Sequence, residues 1–172
     1  EDELFLGGLT MIADDLVTFI KNDLQIFGVG VLIFLVVTLS FIFRQLRWVI
    51  LPVLTCSFSV IATTGLLGMF GWEVTVISSN FISLQLIITM AITIHLIVRY
   101  RELARTQPDK NQHDLVLDTV VFMAMPCLYA VLTTIAGFSS LILSGILPVI
   151  NFGWMMSAGV SVSLLMTFLL FP

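Results

Sequence analysis

The sequence predicts an all-α integral membrane protein, a five-transmembrane-helix bundle with its N-terminus outside and its C-terminus inside. Three observations lead there. First, five apolar stretches (Ile26 to Phe43, Val49 to Phe70, Val76 to Val98, Val120 to Leu143 and Leu147 to Phe171) contain no Lys, Arg, Asp or Glu. Each is close to or above the roughly 20 residues that a spanning helix needs at about 1.5 Å rise per residue. Second, 59% of the 172 residues are hydrophobic and 10% charged, with mean hydropathy +1.12, whereas soluble domains carry about 25% charged residues. Third, six of the seven basic residues lie in two gaps between the apolar runs, Arg44 and Arg47 in one, Arg99, Arg101, Arg105 and Lys110 in the other. Basic loops are retained in the cytoplasm, which sets the expected orientation and leaves Glu1, Asp2, Glu3, Asp14, Asp15, Asp23 and Glu73 outside.

Residues 1–23 read as the end of an extracytoplasmic domain leading into the membrane, with a helix expected over Leu9 to Leu24. The first span ends at the Arg44/Arg47 hairpin, beside Trp48, and the second reaches an outer connection at Gly71 to Thr75. Trp48 and Trp72 lie at expected interfaces and Trp154 near one, where amphipathic rings settle. The third helix continues out of the membrane through Arg99 to Arg105 and breaks at Gln107 to Asn111, around Pro108. From His113 to Phe122 apolar Leu115, Leu117, Val120 and Val121 occur among polar residues, which suits a short interfacial helix within a cytoplasmic loop at about 99–120. The fourth span turns near Gly145 to Asn151 into the fifth, so residues 24–172 form one transmembrane domain. The first helix must enter from the outside, yet no signal peptide precedes it, and the chain ends at Pro172 straight out of an apolar run; a longer parent is expected. Cys56 and Cys127 both fall inside spans, which favours free buried thiols over a disulfide.

Polar and small residues recur at helical spacing within the spans. Ser78, Gln85, Thr89 and Thr93 lie within about 80° of one another on the third helix at roughly 100° per residue. A glutamine at membrane depth needs a partner, so this face is expected to look inward. Pro126, Ala130, Thr133, Gly137, Ser140 and Ser144 make a second stripe on the fourth helix, where Thr134 adjoins Thr133 as a further polar candidate; Gly153, Ser157 and Ser161 repeat every fourth residue on the fifth. Small residues allow close helix approach and hydroxyls bond across the contact, so tight packing and a substrate-lining or water-lining face are both open. His95 is the one side chain within a span whose ordinary titration falls near neutral pH. Intramembrane ionisable groups are functional candidates, with a packed or interfacial histidine as the alternative. No HExxH, CxxC pair, Gly-rich phosphate loop, nucleophile elbow or intramembrane carboxylate pair occurs, so the expectation is no enzyme, no metal, no cofactor and no nucleic-acid partner.

Four segments, FRQLRWVILPVLTCSFSVIATTGLLGMFGWEVT (Phe43 to Thr75), IHLIVRYREL (Ile94 to Leu103), LTTIAGFSSL (Leu132 to Leu141) and INFGWMMSAGV (Ile150 to Val160), together resemble the membrane half of a resistance-nodulation-division (RND) superfamily protein. The resemblance is to the MMPL-like and hopanoid-type lipid exporters and, more distantly, to sterol-sensing domains, and it covers about Leu24 to Pro172. It implies that the five helices are the second to sixth spans of one six-helix half, preceded by a first span and an outer domain. It further implies a second half or a homo-oligomer partner across a pseudo-two-fold axis, a lipid or other hydrophobic substrate, membrane lipids as surroundings, an inner-membrane location and drive from the proton gradient. One departure stands out. Aligned on His95 and Leu96, the Asp-Tyr pair that many relatives carry falls at Ala91 and Ile92, so the usual relay carboxylate is missing from this half. The resemblance thus leaves a transporter half, a lipid-sensing module and an assembly scaffold as readings.

Overall fold

The computed structural model describes residues 9–72 and 80–172 and builds them into five long helices: α1 (Leu9–Phe43), α2 (Arg47–Met69), α3 (Phe81–Thr106), α4 (Gln112–Ser140) and α5 (Leu147–Leu170). A 3-10 turn, Leu141–Ser144, extends α4, and no strand occurs among the described residues. All five helices are long and apolar enough to cross a membrane. Glu1 to Gly8, and residues 73–79 of the α2–α3 connection with Ser78, lie outside the described residues.

Two expectations about helix boundaries change. The helix expected over Leu9 to Leu24 and the first span are one 35-residue helix. No proline or glycine occurs from Leu9 to Phe27, so nothing breaks the backbone ladder there, and at about 1.5 Å per residue α1 is about 52 Å long, well beyond a roughly 30 Å hydrocarbon core. Likewise His113 to Phe122 is not a separate interfacial helix, because α4 runs unbroken from Gln112 to Ser140. Its Pro126 is accommodated within the helix, as prolines in membrane helices commonly are. The break before α4 falls at 107–111 as the Pro108 segment suggests, with Gln107 N–H bonded back to Leu103 O at 2.9 Å.

The connections use left-handed backbone. Gly71 (φ 63) follows α2, Gly145 (φ 74) follows the 3-10 turn, and Arg44 (φ 51) ends α1. The glycines adopt this at no steric cost, whereas Arg44 is a non-glycine exception. The helices alternate direction, which gathers the α1–α2 turn, the α3–α4 turn and the end of α5 at one basic end. There Tyr100 packs between Trp48 (ring centroids 5.5 Å apart) and Phe171 (6.4 Å), and Arg101 lies 5.3 Å over the Phe43 ring.

Helix α3 is central and packs against each of the other four. The distribution of side chains inverts that of a soluble bundle. Phe41, Met69 and Leu143 are about four-fifths or more exposed (79%, 85% and 88%), while Thr55, Ser59, Thr63, Gln85, Thr89, Thr93, Ser163 and Thr167 are buried to 1% exposure or less. In water this arrangement would forfeit apolar burial. In a bilayer, where lipid tails solvate the apolar exterior and polar groups must bond to one another, it is the stable one. Cys56 and Cys127 are free and buried.

Candidate functional site

The polar interior is built from three rows at i, i+4, i+8: Thr55, Ser59 and Thr63 on α2; Gln85, Thr89 and Thr93 on α3; Gly159, Ser163 and Thr167 on α5. Each row faces the bundle axis, and where the three meet Gln85 projects between α2 and α5. Its amide Nε2 donates toward Thr63 Oγ1 (2.5 Å), Ser59 Oγ (3.1 Å) and Ser59 O (3.2 Å), with Gly159 O and Ser163 Oγ at 3.4 Å. Five oxygens thus surround a nitrogen that carries two protons. Ser163 Oγ is the second hub, 2.8 Å from Ser59 Oγ and 2.8 Å from the donating Thr89 Oγ1.

The hydroxyls also bond along their own helices, Thr89 to Gln85 O (2.7 Å), Thr93 to Thr89 O (2.8 Å), Ser163 to Gly159 O (2.9 Å) and Thr167 to Ser163 O (2.7 Å). Such local bonds satisfy a buried hydroxyl without a partner helix, so the interhelical contacts are additional and exchangeable. Gln85 Oε1 is the exception, buried without a hydrogen-bond partner. It rests against Gly159, where a Cβ would stand 3.0 Å from Oε1 and 3.4 Å from Thr63 Cγ2. An alanine at 159 would press on this amide and require it to give by a few tenths of an ångström. The cluster consists of hydroxyls, an amide and backbone carbonyls, so it can switch hydrogen bonds but has no group that takes up a proton near neutral pH.

Of the residues singled out in the sequence, Gln85, Thr89 and Thr93 belong to this cluster. Ser78 lies outside the described residues. His95 sits on the opposite, outward face of α3 with Ala91, Ile87 and Val98 and is not part of the cluster; Ile92 is buried. Thr133 is exposed and Thr134 half-buried, and both hydroxyls bond Ala130 O of their own helix (2.9 and 2.8 Å), so neither lines the polar interior. The rest of the α4 stripe (Pro126, Ala130, Gly137, Ser140 and Ser144) is exposed too. Nothing described lies within 4 Å of a Cβ built on Gly137, and Ser140 and Ser144 are exposed, so the packing expected of these three is not made among the described residues. The inward face of α4 is Leu115, Thr119, Cys127 and Val131 instead.

On α5 the expected row divides. Gly153 packs hard against the end of α4, and Ser157 bonds Gly153 O (2.8 Å) and lies 3.4 Å from Ser139 Oγ. Ser161 is exposed and bonds only Ser157 O. The α2 row and the Gly159/Ser163/Thr167 row escaped the sequence reading although they carry the same spacing signal as Gln85/Thr89/Thr93. Among the described residues no group of three or more His, Cys, Asp or Glu is placed to hold a metal ion.

An apolar exterior around a hydroxyl-lined interior defines a polytopic α-helical membrane protein. Comparison with known families is specific: the model of the MMPL family matches residues 3–172, and the chain belongs to that family, a family of membrane transporters. No curated protein and no solved structure matches the chain.

Proposed function

We propose that this chain is part of the membrane domain of a transporter that exports a lipid or other hydrophobic molecule across the inner membrane, and that the Gln85 cluster is the seam along which its helices shift. The observation that carries this reading is the surplus of acceptors around Gln85 Nε2. A donor with several acceptors in reach can exchange partners as α2, α3 and α5 slide by fractions of an ångström, so two packings of the seam have similar hydrogen-bond energy. Small sliding of packed helices is one of the standard ways in which domains switch state.

The positions that match the relatives' Asp-Tyr pair are Ala91 and Ile92, and the cluster holds no titratable group; in this reading a proton-driven cycle takes its relay carboxylate from a second transmembrane half or a partner copy, with substitution by His95 and a cycle without protons as the alternatives. The outward face of α3, with Ala91 and His95, together with the exposed small residues of α4, supports such a partner, since small residues favour close helix contact. In this reading the basic end faces the cytoplasm, and residues 1–23 lead from an extracytoplasmic domain. The missing carboxylate also favours a second reading, a lipid-sensing module akin to sterol-sensing domains, which binds a ligand without flux.

Reconstituting the full-length protein in proteoliposomes with an internal pH dye, an imposed pH gradient and native lipid extract separates the two. Proton flux that depends on the extract supports the transporter; lipid binding by folded protein without any flux rejects proton coupling and favours the sensor.

A further inference from the structure

Arg47 borders two cavities at once. One, about 520 Å³, is an apolar groove along the outer face of α2, lined by Leu46, Ile50, Leu54, Phe58 and, from α5, Leu170. The other, about 190 Å³, is a smaller hollow at the basic end, where Arg47 meets Trp48, Tyr100 and Gln112. Leu46, Ile50, Leu54 and Phe58 repeat every fourth residue and are 74%, 48%, 51% and 50% exposed. They make a rail about 18 Å long at 1.5 Å per residue, comparable with one leaflet of a roughly 30 Å core. The arginine stands at the head of this rail, as the first residue of α2 directly after the turn between two spans, and therefore at the depth of lipid headgroups. Among the described residues the salt bridges are Arg99–Glu102, Lys110–Asp118 and His113–Asp114, so neither Arg47 nor Arg44 has a carboxylate partner there.

We infer that Arg47 and the α2 rail form a binding site for one anionic glycerophospholipid of the surrounding leaflet. The guanidinium presents a fork of N–H donors that matches a phosphate, Arg44 three residues earlier adds a second positive charge, and the acyl chain lies along Ile50, Leu54 and Phe58. The segment Arg44 to Trp48 contains no acid, so a zwitterionic headgroup would bring its ammonium toward two arginines, which selects the anionic class. The occupant is a resident of the leaflet, bound on the outside of the bundle, and the inference holds whichever molecule the protein transports.

Trp48 reports on this site, while Trp72 and Trp154 lie near the opposite ends of their helices. The full-length protein with every tryptophan except Trp48 replaced by Phe, Trp72→Phe and Trp154→Phe among them, is reconstituted in mixtures of phosphatidylglycerol and phosphatidylcholine in which either lipid in turn has brominated acyl chains, and quenching of Trp48 gives relative occupancy. Phosphatidylglycerol is expected to be preferred about fivefold, the effect of about one arginine at an anionic headgroup. Arg47→Gln should bring the preference close to parity, and Arg105→Gln, a change elsewhere at the basic end, should leave it in place. Equal quenching by the two lipids in the parent protein overturns the site, as does an undiminished preference in Arg47→Gln. Loss of preference in Arg105→Gln equal to that in Arg47→Gln also overturns it, since it would mean attraction by the whole charged end. Native mass spectrometry of the unmutated protein is a check free of folding effects: phosphatidylglycerol retained in preference to phosphatidylcholine agrees with the site, and equal retention contradicts it.

Discussion

Gly153→Ala puts the close contact between α4 and α5 to a quantitative test. A Cβ built on Gly153 stands 2.7 Å from Phe138 O and 3.3 Å from both Ile142 Cγ1 and Leu141 Cβ. The 2.7 Å contact is to a backbone carbonyl near the end of α4, which cannot rotate away as a side-chain terminus can, so the two helices must separate by several tenths of an ångström. Overpacking of this kind costs about 1–3 kcal/mol, while replacing glycine by alanine within a helix returns up to about 1 kcal/mol. The net expectation is a loss of about 1–2 kcal/mol, or a fall of about 2–8 °C in melting temperature for a chain of this size. Thermal melting of the purified protein in detergent, followed by Trp154 fluorescence, measures it. Gly65→Ala is the control, since nothing described lies within 4 Å of its added Cβ, and its melting temperature should match or exceed that of the parent. A Gly153→Ala protein that melts no lower than the parent would refute the α4–α5 contact.

Ser163→Ala removes the hydroxyl shared by Ser59, Thr89 and Gln85; at about 0.6 kcal/mol per membrane hydrogen bond it should cost about 1 kcal/mol in thermal stability and lower lipid transport severalfold in proteoliposomes. Thr133→Val removes a hydroxyl that bonds only its own helix, and transport should stay within twofold of the parent. Gly137→Leu extends into open space within this chain, so its melting should be nearly unchanged while association with a second half or copy, measured by cross-linking in the membrane, falls.

The spans were legible because a bilayer demands an unbroken apolar run, and a run without charges declares itself in sequence. Helix continuity was less so: the amphipathic pattern at His113 to Phe122 fits a surface helix as well as the exposed first turns of α4, and only a breaker would have decided between them. For the interior, spacing located a polar row on α3 because Gln85 is too polar to face lipid. Ser and Thr carry weaker information, since each can bond its own i−4 carbonyl and so tolerates either face. That is why the exposed α4 row and the buried α2 row look alike in sequence. Which face turns inward was decided by neighbouring bulk. On α5, Met155, Met156 and Val160 are buried beside Gly159 and Ser163, and they turn that face, rather than the one with Ser161, toward α2 and α3.

The most direct test of the seam is lipid transport by Gln85→Leu in proteoliposomes, at matched protein incorporation. The substitution removes up to two hydrogen bonds, about 1 kcal/mol in all, and also removes the unpartnered Oε1, whose burial costs about 1–3 kcal/mol. Folding and melting should therefore stay close to those of the parent. Transport should fall at least tenfold, equivalent to about 1.4 kcal/mol on the barrier, because leucine cannot trade acceptors between α2 and α5. A folded Gln85→Leu protein that transports within twofold of the parent would contradict the seam.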